Sequence, residues 1–397
     1  AAASLPREQL ADILPEFIES PCPPYRILAF TFTNKAANEI KSRLAAELGE
    51  EYATDIWAGT FHSVCLRILR TYTEAAGLLP GFSIYDTEDT KRAVAAAMKR
   101  LNIDEKTLPI SSVIKEISHA KDKLIGPGDF ADGGDFRKKQ IGRIYGEYQS
   151  LLATANALDF DDIIFRTVNL LRGNEEVRRR YQSRFLYVSV DEYQDTNEAQ
   201  FVLTELLSGG HRNIMVVGDD DQSIYRFRGA TIANILGFDR HYPDAGVVKL
   251  EQNYRSAGNI LGAANAIISN NRTRREKELW TDKPAGELIS VCELDGENDE
   301  AKYIVDTISR LVRLSGRRYR DFAVLYRMNA QSRALEEAFT KSGLPYRTIG
   351  AIRFFDRKEI RDIVAYLNVL QNRNDSERLK RIINEPKRTV DRKSTRL

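Results

Sequence analysis

Four short apolar runs, Ile27–Phe30, Phe185–Val190, Ile214–Val217 and Val247–Leu250, punctuate this 397-residue chain, and each leads into residues whose apolar positions recur at helical spacing. Strands separated by helices lie parallel, joined by right-handed crossovers, in an open α/β sheet. That constraint also says where a ligand sits, because such sheets bind at the carboxyl ends of their strands. Two of the runs end there in charge. One stops at Asp191-Glu192, and another at Gly218-Asp-Asp-Asp-Gln222.

Paired carboxylates at a strand end read as a metal and phosphate site, which makes a nucleotide triphosphatase the expectation. Asp191 would hold Mg²⁺, usually through water, and Glu192 would orient or deprotonate the attacking water. The plainer alternative is a solvated acidic turn after a buried strand. Gln222 on the neighbouring strand end can sense a γ-phosphate by hydrogen bonding. Beyond it, Tyr225, Phe227 and Arg228 alternate aromatic faces with a cation, a pattern suited to single-stranded nucleic acid at about 1–3 kcal/mol per stacked base. A core turn carrying one buried aromatic would look similar.

Composition narrows the class without choosing the chemistry. At 397 residues the chain exceeds one ordinary core, and domains of about 100 to 200 residues imply two to four of them. Apolar residues make up 42% and charged residues 29%, a globular balance with no apolar run long enough to span a membrane. No signal peptide is evident, so the cytoplasm is the expected location. Cys22, Cys65 and Cys292 lack any CxxC spacing, and the four histidines form no ligand pattern. A metal, if bound, would be a hard cation on carboxylates. Net charge is only +2, so bulk electrostatics announce no polyanion. Lys91 to Arg143 holds 12 basic against 7 acidic residues, an excess of 12 − 7 = 5 that solvated helix faces would also explain.

Along the chain, Ala37, Ile40, Leu44 and Leu48 mark a helix after the first strand, with Thr33 or Asn34 as its N-cap. From about 86 to 184 no comparable strand run occurs, and amphipathic helices broken by Gly126-Pro-Gly128 and Gly133-Gly134 predict an α-helical insertion. A second βα series begins near Leu288–Leu294 and continues through Phe322–Tyr326 and a helix from Ser332. The expected organisation is a first α/β domain over 1–85 and 185–250, the insertion at 86–184, a second α/β domain over 251–375, and another helical insertion beginning at 376–397.

The ordered motifs carry a resemblance. Asp191-Glu-Tyr-Gln-Asp-Thr-Asn197, Gly218-Asp-Asp-Asp-Gln-Ser-Ile-Tyr225 and Leu250-Glu-Gln-Asn-Tyr-Arg-Ser256 resemble motifs II, III and IV of the UvrD/Rep/PcrA helicases of superfamily 1. Thr31–Ala37 resembles motif Ia, and Gly59–Ser63 the next DNA-contacting motif. Leu158–Asp162, Tyr326–Arg333 and Asn384–Arg388 also match in order. The resemblance implies RecA-like parallel-sheet motor domains with an α-helical insertion, ATP and Mg²⁺ as cofactors, and single-stranded DNA and duplex junctions as partners. It implies 3′–5′ movement coupled to strand separation in DNA repair or replication. Asp191 and Glu192 would be the Mg²⁺ and water-activating acids, Gln222 the γ-phosphate sensor, Arg255 an arginine finger and Tyr254 a stacking surface for adenine. Thr31, Phe32, Asn34, Lys35, Phe61, His62, Tyr225, Phe227 and Arg228 would contact DNA. Phe227 stands where many relatives carry Trp, which keeps a stacking face with less area.

One departure is larger. The family's phosphate-binding loop ends in Gly-Lys-Thr, yet these 397 residues contain no Gly-Lys pair. Leu5–Gln9 resembles the opening Q motif, with Gln9 reading adenine, but Leu10 to Tyr25 is too short for a strand, the loop and its helix. Either a segment is missing from this sequence or the ATPase is degenerate; intact Asp191, Glu192, Gln222 and Arg255 favour a missing segment. The family's last motifs are also expected to lie beyond these residues. A single-strand binding module without turnover, and the motor part of a helicase–nuclease, remain the alternative readings.

Overall fold

The computed structural model describes residues 22–130, 134–226, 229–271, 274–349, 358–386 and 388. The chain divides into two units, one from 1–248, 271–276 and 362–397, the other from 249–270 and 277–361. Gln9, Phe227 and Arg228 lie outside the described residues.

The first unit is built on four parallel strands: β1 (Ile27–Thr31), β2 (Trp57–Thr60), β5 (Tyr187–Val190) and β6 (Ile214–Val216). Their order is β2-β1-β5-β6. Register aligns Phe30 with Gly59 and Val190, and Val190 with Val216, so the strand ends finish level along one edge. Helix α1 (Asn34–Leu48) starts on Thr33, whose Oγ1 accepts from Ala36 N–H at 3.1 Å, so the cap falls on the first of the two candidates. Helices α2 (Glu50–Asp55) and α3 (Phe61–Thr71) flank β2. The apolar faces of β1, β5 and α3 bury Leu28, Phe30, Phe61, Val188 and Val190 in one core.

The helical insertion comprises α4 (Thr87–Arg100), α5 (Ile110–Asp122) and α6 (Phe136–Thr154). Its two short strands, β3 (Ser83–Ile84) and β4 (Ala157–Leu158), pair in parallel. A separate core runs from Tyr85 to Ala157. Helices α7 (Phe160–Gly173) and α8 (Glu175–Arg184) follow, yet Ile163, Val168, Leu171 and Val177 bury themselves in the core of the parallel sheet. The change of partner occurs at a sealed polar seam. Lys121 of α5, 1% exposed, reaches Asp159 Oδ2 at 2.6 Å and Asp162 Oδ1 at 2.9 Å, and Tyr148 donates to Asp159 Oδ2 at 2.7 Å. Burial opposes the lysine's charge, but the two carboxylates outweigh it and raise its pKa. The same cation, with the hydrogen bonds from Lys121 and Tyr148, draws Asp159 below its ordinary value against burial.

After α9 (Glu198–Ser208), the first unit ends on α13 (Lys358–Gln371), from Asp362 onward, and α14 (Ser376–Ile382). These meet the insertion through polar side chains. Asn372 Nδ2 donates to Ser83 Oγ and to the Ala155 and Asn156 carbonyls, Tyr85 O–H donates to Asp375 Oδ1 at 3.1 Å, and Arg378 donates to the Ile84 carbonyl.

The second unit departs from expectation. Its helices α10 (Gly258–Ile268), α11 (Glu297–Ser315) and α12 (Ser332–Lys341) form, and Val305, Ile308 and Leu344 make a small core. The strands expected there at Leu288–Leu294 and Phe322–Tyr326 do not pair among the described residues, where the ladder is one bridge, Gln252 to Trp280; the run Val247–Leu250, expected to close the first α/β domain, forms no strand either. A strand exists only where neighbours accept from its N–H groups and donate to its C=O groups. Val248, Leu288, Val291 and Leu325 stay exposed instead.

Lys121→Met leaves two buried carboxylates without their cation. The expected loss is about 3–5 kcal/mol in urea unfolding, with most of it recovered when Asp159→Asn and Asp162→Asn are added. A loss near zero would contradict the seam.

Candidate nucleotide and nucleic-acid site

The ladder carries one residue past β5: Asp191 N–H donates to the Phe30 carbonyl at 2.9 Å. The backbone then turns sharply, with Glu192 at φ 52° and ψ 41° in the left-handed region. A non-glycine there is held by its surroundings against an intrinsic penalty, a feature that concentrates at functional sites. Glu192 N–H donates to Asp191 Oδ1 at 3.0 Å, locking the two acids together. Burial, then the neighbouring Glu192 charge, raises the Asp191 carboxyl against the relief of that hydrogen bond. A half-buried carboxylate on Asp191 beside an exposed one on Glu192 suits a hard cation that takes one or two acids and otherwise keeps water. Asp191 and Glu192 therefore fit Mg²⁺ in their chemistry.

Gln194 ties this pair to the next strand end. Its side chain is 1% exposed. Nε2 donates to Glu192 Oε2 at 2.8 Å, while Oε1 accepts from Asp219 N–H at 2.9 Å. Tyr193 N–H also donates to the Val217 carbonyl, at 2.9 Å. Gly218 is needed at this crossing, since a Cβ there would stand 2.5 Å from Gln194 Oε1. Gln222, exposed on the 3₁₀ turn Asp220–Gln222, donates its amide to Asp219 Oδ2 at 2.8 Å. The route from the acid pair to Gln222 thus runs through Gln194 and Asp219. Sequence reasoning overlooked Gln194; its signal was a glutamine two residues after the second acid, where an amide can accept and donate at once.

Asp219, Asp220 and Asp221 bring carboxylate oxygens within 4.8 Å of one another. The chain itself supplies their counter-charge and donors. Arg274 pairs with Asp221 at 3.0 Å, and Arg275 N–H donates to Asp220 Oδ2 at 2.7 Å. The triplet anchors its turn and is no evidence of a second metal.

The DNA-contact candidates separate into surface and support. Asn34 and Lys35 are exposed on the first turn of α1, and Phe32 is half-buried against Phe61 at 5.6 Å. Thr31 and Phe61 are each 1% exposed, and Phe61 stacks on Phe30 at 4.4 Å. This corrects their expected role: both side chains are core, and Phe61 backs Phe32 where a base contact was expected. His62 stacks on Phe160 with ring centroids 3.8 Å apart. Burial lowers the His62 pKa to about 4, so the ring is neutral at physiological pH. Phe160 is 56% exposed and was not among the sequence candidates. The capping box between Asp159 and Asp162 puts it on the first residue of α7, facing outward, and that local signal could have flagged it. Tyr225 is also exposed, its backbone N–H donating to the Asp195 carboxylate.

Tyr254 and Arg255 belong to the second unit. Asn253 Oδ1 accepts from the N–H groups of Arg255 and Ser256, shaping the turn, and Tyr254 O–H donates to Gln252 Oε1 at 2.6 Å.

Comparison with known proteins matches the chain to two family domains. Residues 11–243 match the UvrD/REP helicase N-terminal domain, and 248–396 the UvrD-like helicase C-terminal domain. The chain is 48% identical over 368 residues to an ATP-dependent DNA helicase PcrA of Staphylococcus epidermidis, covering 92% of this chain and 50% of that protein. A Staphylococcus aureus PcrA is 47% identical with the same coverage. The chain therefore spans about half the length of the curated relatives it matches.

The half-buried His62 has a signature in pH. Between its unfolded pKa of 6.5 and its folded value of about 4, the unfolded chain binds a proton that the folded chain refuses. Its contribution is fully present above pH 6.5 and lost as pH falls toward 4. Urea midpoints of His62→Phe should fall less steeply across that window than those of the parent; equal slopes would contradict the assignment.

Proposed function

The chain belongs to the UvrD/REP helicase family, and on that premise we propose that it is the DNA-gripping and water-activating part of an ATP-driven helicase acting on single-stranded DNA in the cytoplasm. The observation that carries the reading is the join between two half-sites. The acid pair at the end of β5 is hydrogen-bonded through Gln194 to the turn that leads to Tyr225, and Phe32, His62 and Phe160 present rings on elements that rise from the same sheet or pack on it.

In this reading Asp191 and Glu192 would hold Mg²⁺, which supplies charge neutralisation on the phosphates. Glu192 orients the attacking water and takes its proton, and Gln194 fixes the carboxylate that does so. Gln222 reports the γ-phosphate to the DNA-contact turn. Arg255 meets the transferred phosphoryl group as an arginine finger and Tyr254 stacks on adenine. Exposed aromatic rings give sequence-tolerant stacking, while Asn34 and Lys35 position phosphates. The polarity is 3′–5′, and the setting is DNA repair or replication.

A second reading has its own observation. No Gly-Lys pair occurs in these residues, so the lysine that reaches β and γ phosphates has no counterpart here. The 397-residue chain by itself is therefore expected to bind oligonucleotide while hydrolysing ATP slowly or not at all.

Oligonucleotide binding and Mg-ATP turnover test both. The chain should bind single-stranded DNA with an affinity that falls as salt rises. In the full-length protein, turnover should rise on adding single-stranded DNA, and Glu192→Gln should cut it roughly a hundredfold or more. Turnover indifferent to DNA, or untouched by Glu192→Gln, would refute the motor reading.

A further inference from the structure

The last residue of α5, Asp122, lies in the helical insertion and belongs to none of the motifs, yet it touches two of the segments that define the site. Its Oδ1 accepts from Asn197 Nδ2 at 2.6 Å. Asn197 is the N-cap of α9: its own Oδ1 accepts from Gln200 N–H at 2.9 Å, and Gln200 Oε1 accepts from Asn197 N–H at 3.0 Å. Asp122 thus orients the side-chain amide that closes the acidic motif. On its other side stands Gly229, at φ +85°, where an added Cβ would overlap the Asp122 carboxylate. Gly229 N–H donates to the Arg226 carbonyl at 3.1 Å and Ala230 N–H to the Tyr225 carbonyl at 3.4 Å, which ties Gly229 to the Tyr225 end of this segment.

The same region is bound together by backbone. Thr231 N–H donates to the Thr196 carbonyl at 3.0 Å, and Asn234 Nδ2 reaches Thr196 Oγ1 at 2.9 Å and the Asn197 carbonyl at 3.3 Å. These contacts fix the far end of the turn from within the sheet unit's own motifs, while Asp122 reaches the N-cap of α9 from the helical insertion.

We propose that Asp122 is the positioning residue through which the helical insertion holds the Tyr225-bearing turn against the end of the acidic motif, and so sets the grip on a single strand of DNA. The inference rests on the reading of Tyr225 as a DNA contact. Burial, then the charge of Asp161, pushes the Asp122 carboxyl up to about 7, and the Asn197 hydrogen bond offsets part of that. Asp161 in turn faces Ser118, Asp159 and Lys121, so Asp122 sits one residue from the sealed seam that joins the insertion to the sheet. The seam supplies the rigid base and Asp122 the point of contact.

The experiment is a double-mutant cycle on the 397-residue chain, read as affinity for a fluorescein-labelled thymidine oligonucleotide at fixed salt. Asp122→Ala should weaken binding about tenfold, the low end of what one stacked base contributes. In a Tyr225→Ala background the same change should cost no more than about twofold, because the group it positions is gone. Asp122→Asn keeps an acceptor for Asn197 Nδ2 and should stay within about threefold of the parent. Loss of general stability would instead cost the same in both backgrounds, and that result overturns the proposal, as does parent-like binding by Asp122→Ala. Should Asp122→Ala fail to fold, Gly229→Ala pushes on the same carboxylate from the opposite side. It must then show the same loss and the same dependence on Tyr225, and silence or additivity there overturns the proposal. A parent chain that binds no oligonucleotide removes the functional reading and this inference with it. Binding by the parent with a silent Asp122 removes this inference alone.

Discussion

The parallel ladder between β1, β5 and β6 is the constraint on which the site depends. Because Phe30, Val190 and Val216 lie in register, three strands finish level, and the residues that follow each strand meet at one edge. Asp191 N–H on the Phe30 carbonyl and Val217 N–H on the Val190 carbonyl carry the pairing just past the last strand residues. The chain must then leave the sheet within a residue or two, and Glu192 does so in a left-handed conformation. What fixes that exit is the buried amide of Gln194, whose two ends satisfy one group from each strand end. An apolar residue there would leave a buried N–H without its acceptor, at a cost of about 1–3 kcal/mol.

A second level of organisation lies in how the insertion is attached. The core of α4 to α6 is separate from that of the sheet, so hydrophobic packing alone would leave the two able to shift. Lys121, Asp159 and Asp162 join them in one direction and one register, which is what a buried ionic cluster specifies better than apolar contact does. The same short stretch delivers Phe160 to the surface beside His62. Structural seam and ring surface are therefore adjacent residues of one helix start, Asp159 and Phe160.

Much of this was legible in the residues. Periodicity located β1, β5 and β6, and the acids at their ends followed from polarity breaking an apolar run. Other features were hidden because they depend on distant partners. Nothing near Asp219–Asp221 reveals that the Arg274 guanidinium and the Arg275 backbone N–H, over 50 positions on, partner these carboxylates. Phe32 and Phe61 are the same residue type just past the ends of neighbouring strands, and only packing against Phe30 sends Phe61 inward. The runs at Leu288–Leu294 and Phe322–Tyr326 read as strands by composition, but pairing requires neighbours, and β propensity alone does not supply them.

The central claim is that the acid pair and the DNA-contact turn form one hydrogen-bonded unit. Amide hydrogen exchange of the 397-residue chain, with and without a saturating single-stranded oligonucleotide, tests it most directly. The account expects the oligonucleotide to slow exchange at 191–196 together with 217–226, although the acids themselves touch no base. Slowing confined to the residues around Phe32, His62 and Tyr225, with 191–196 unchanged, would contradict it.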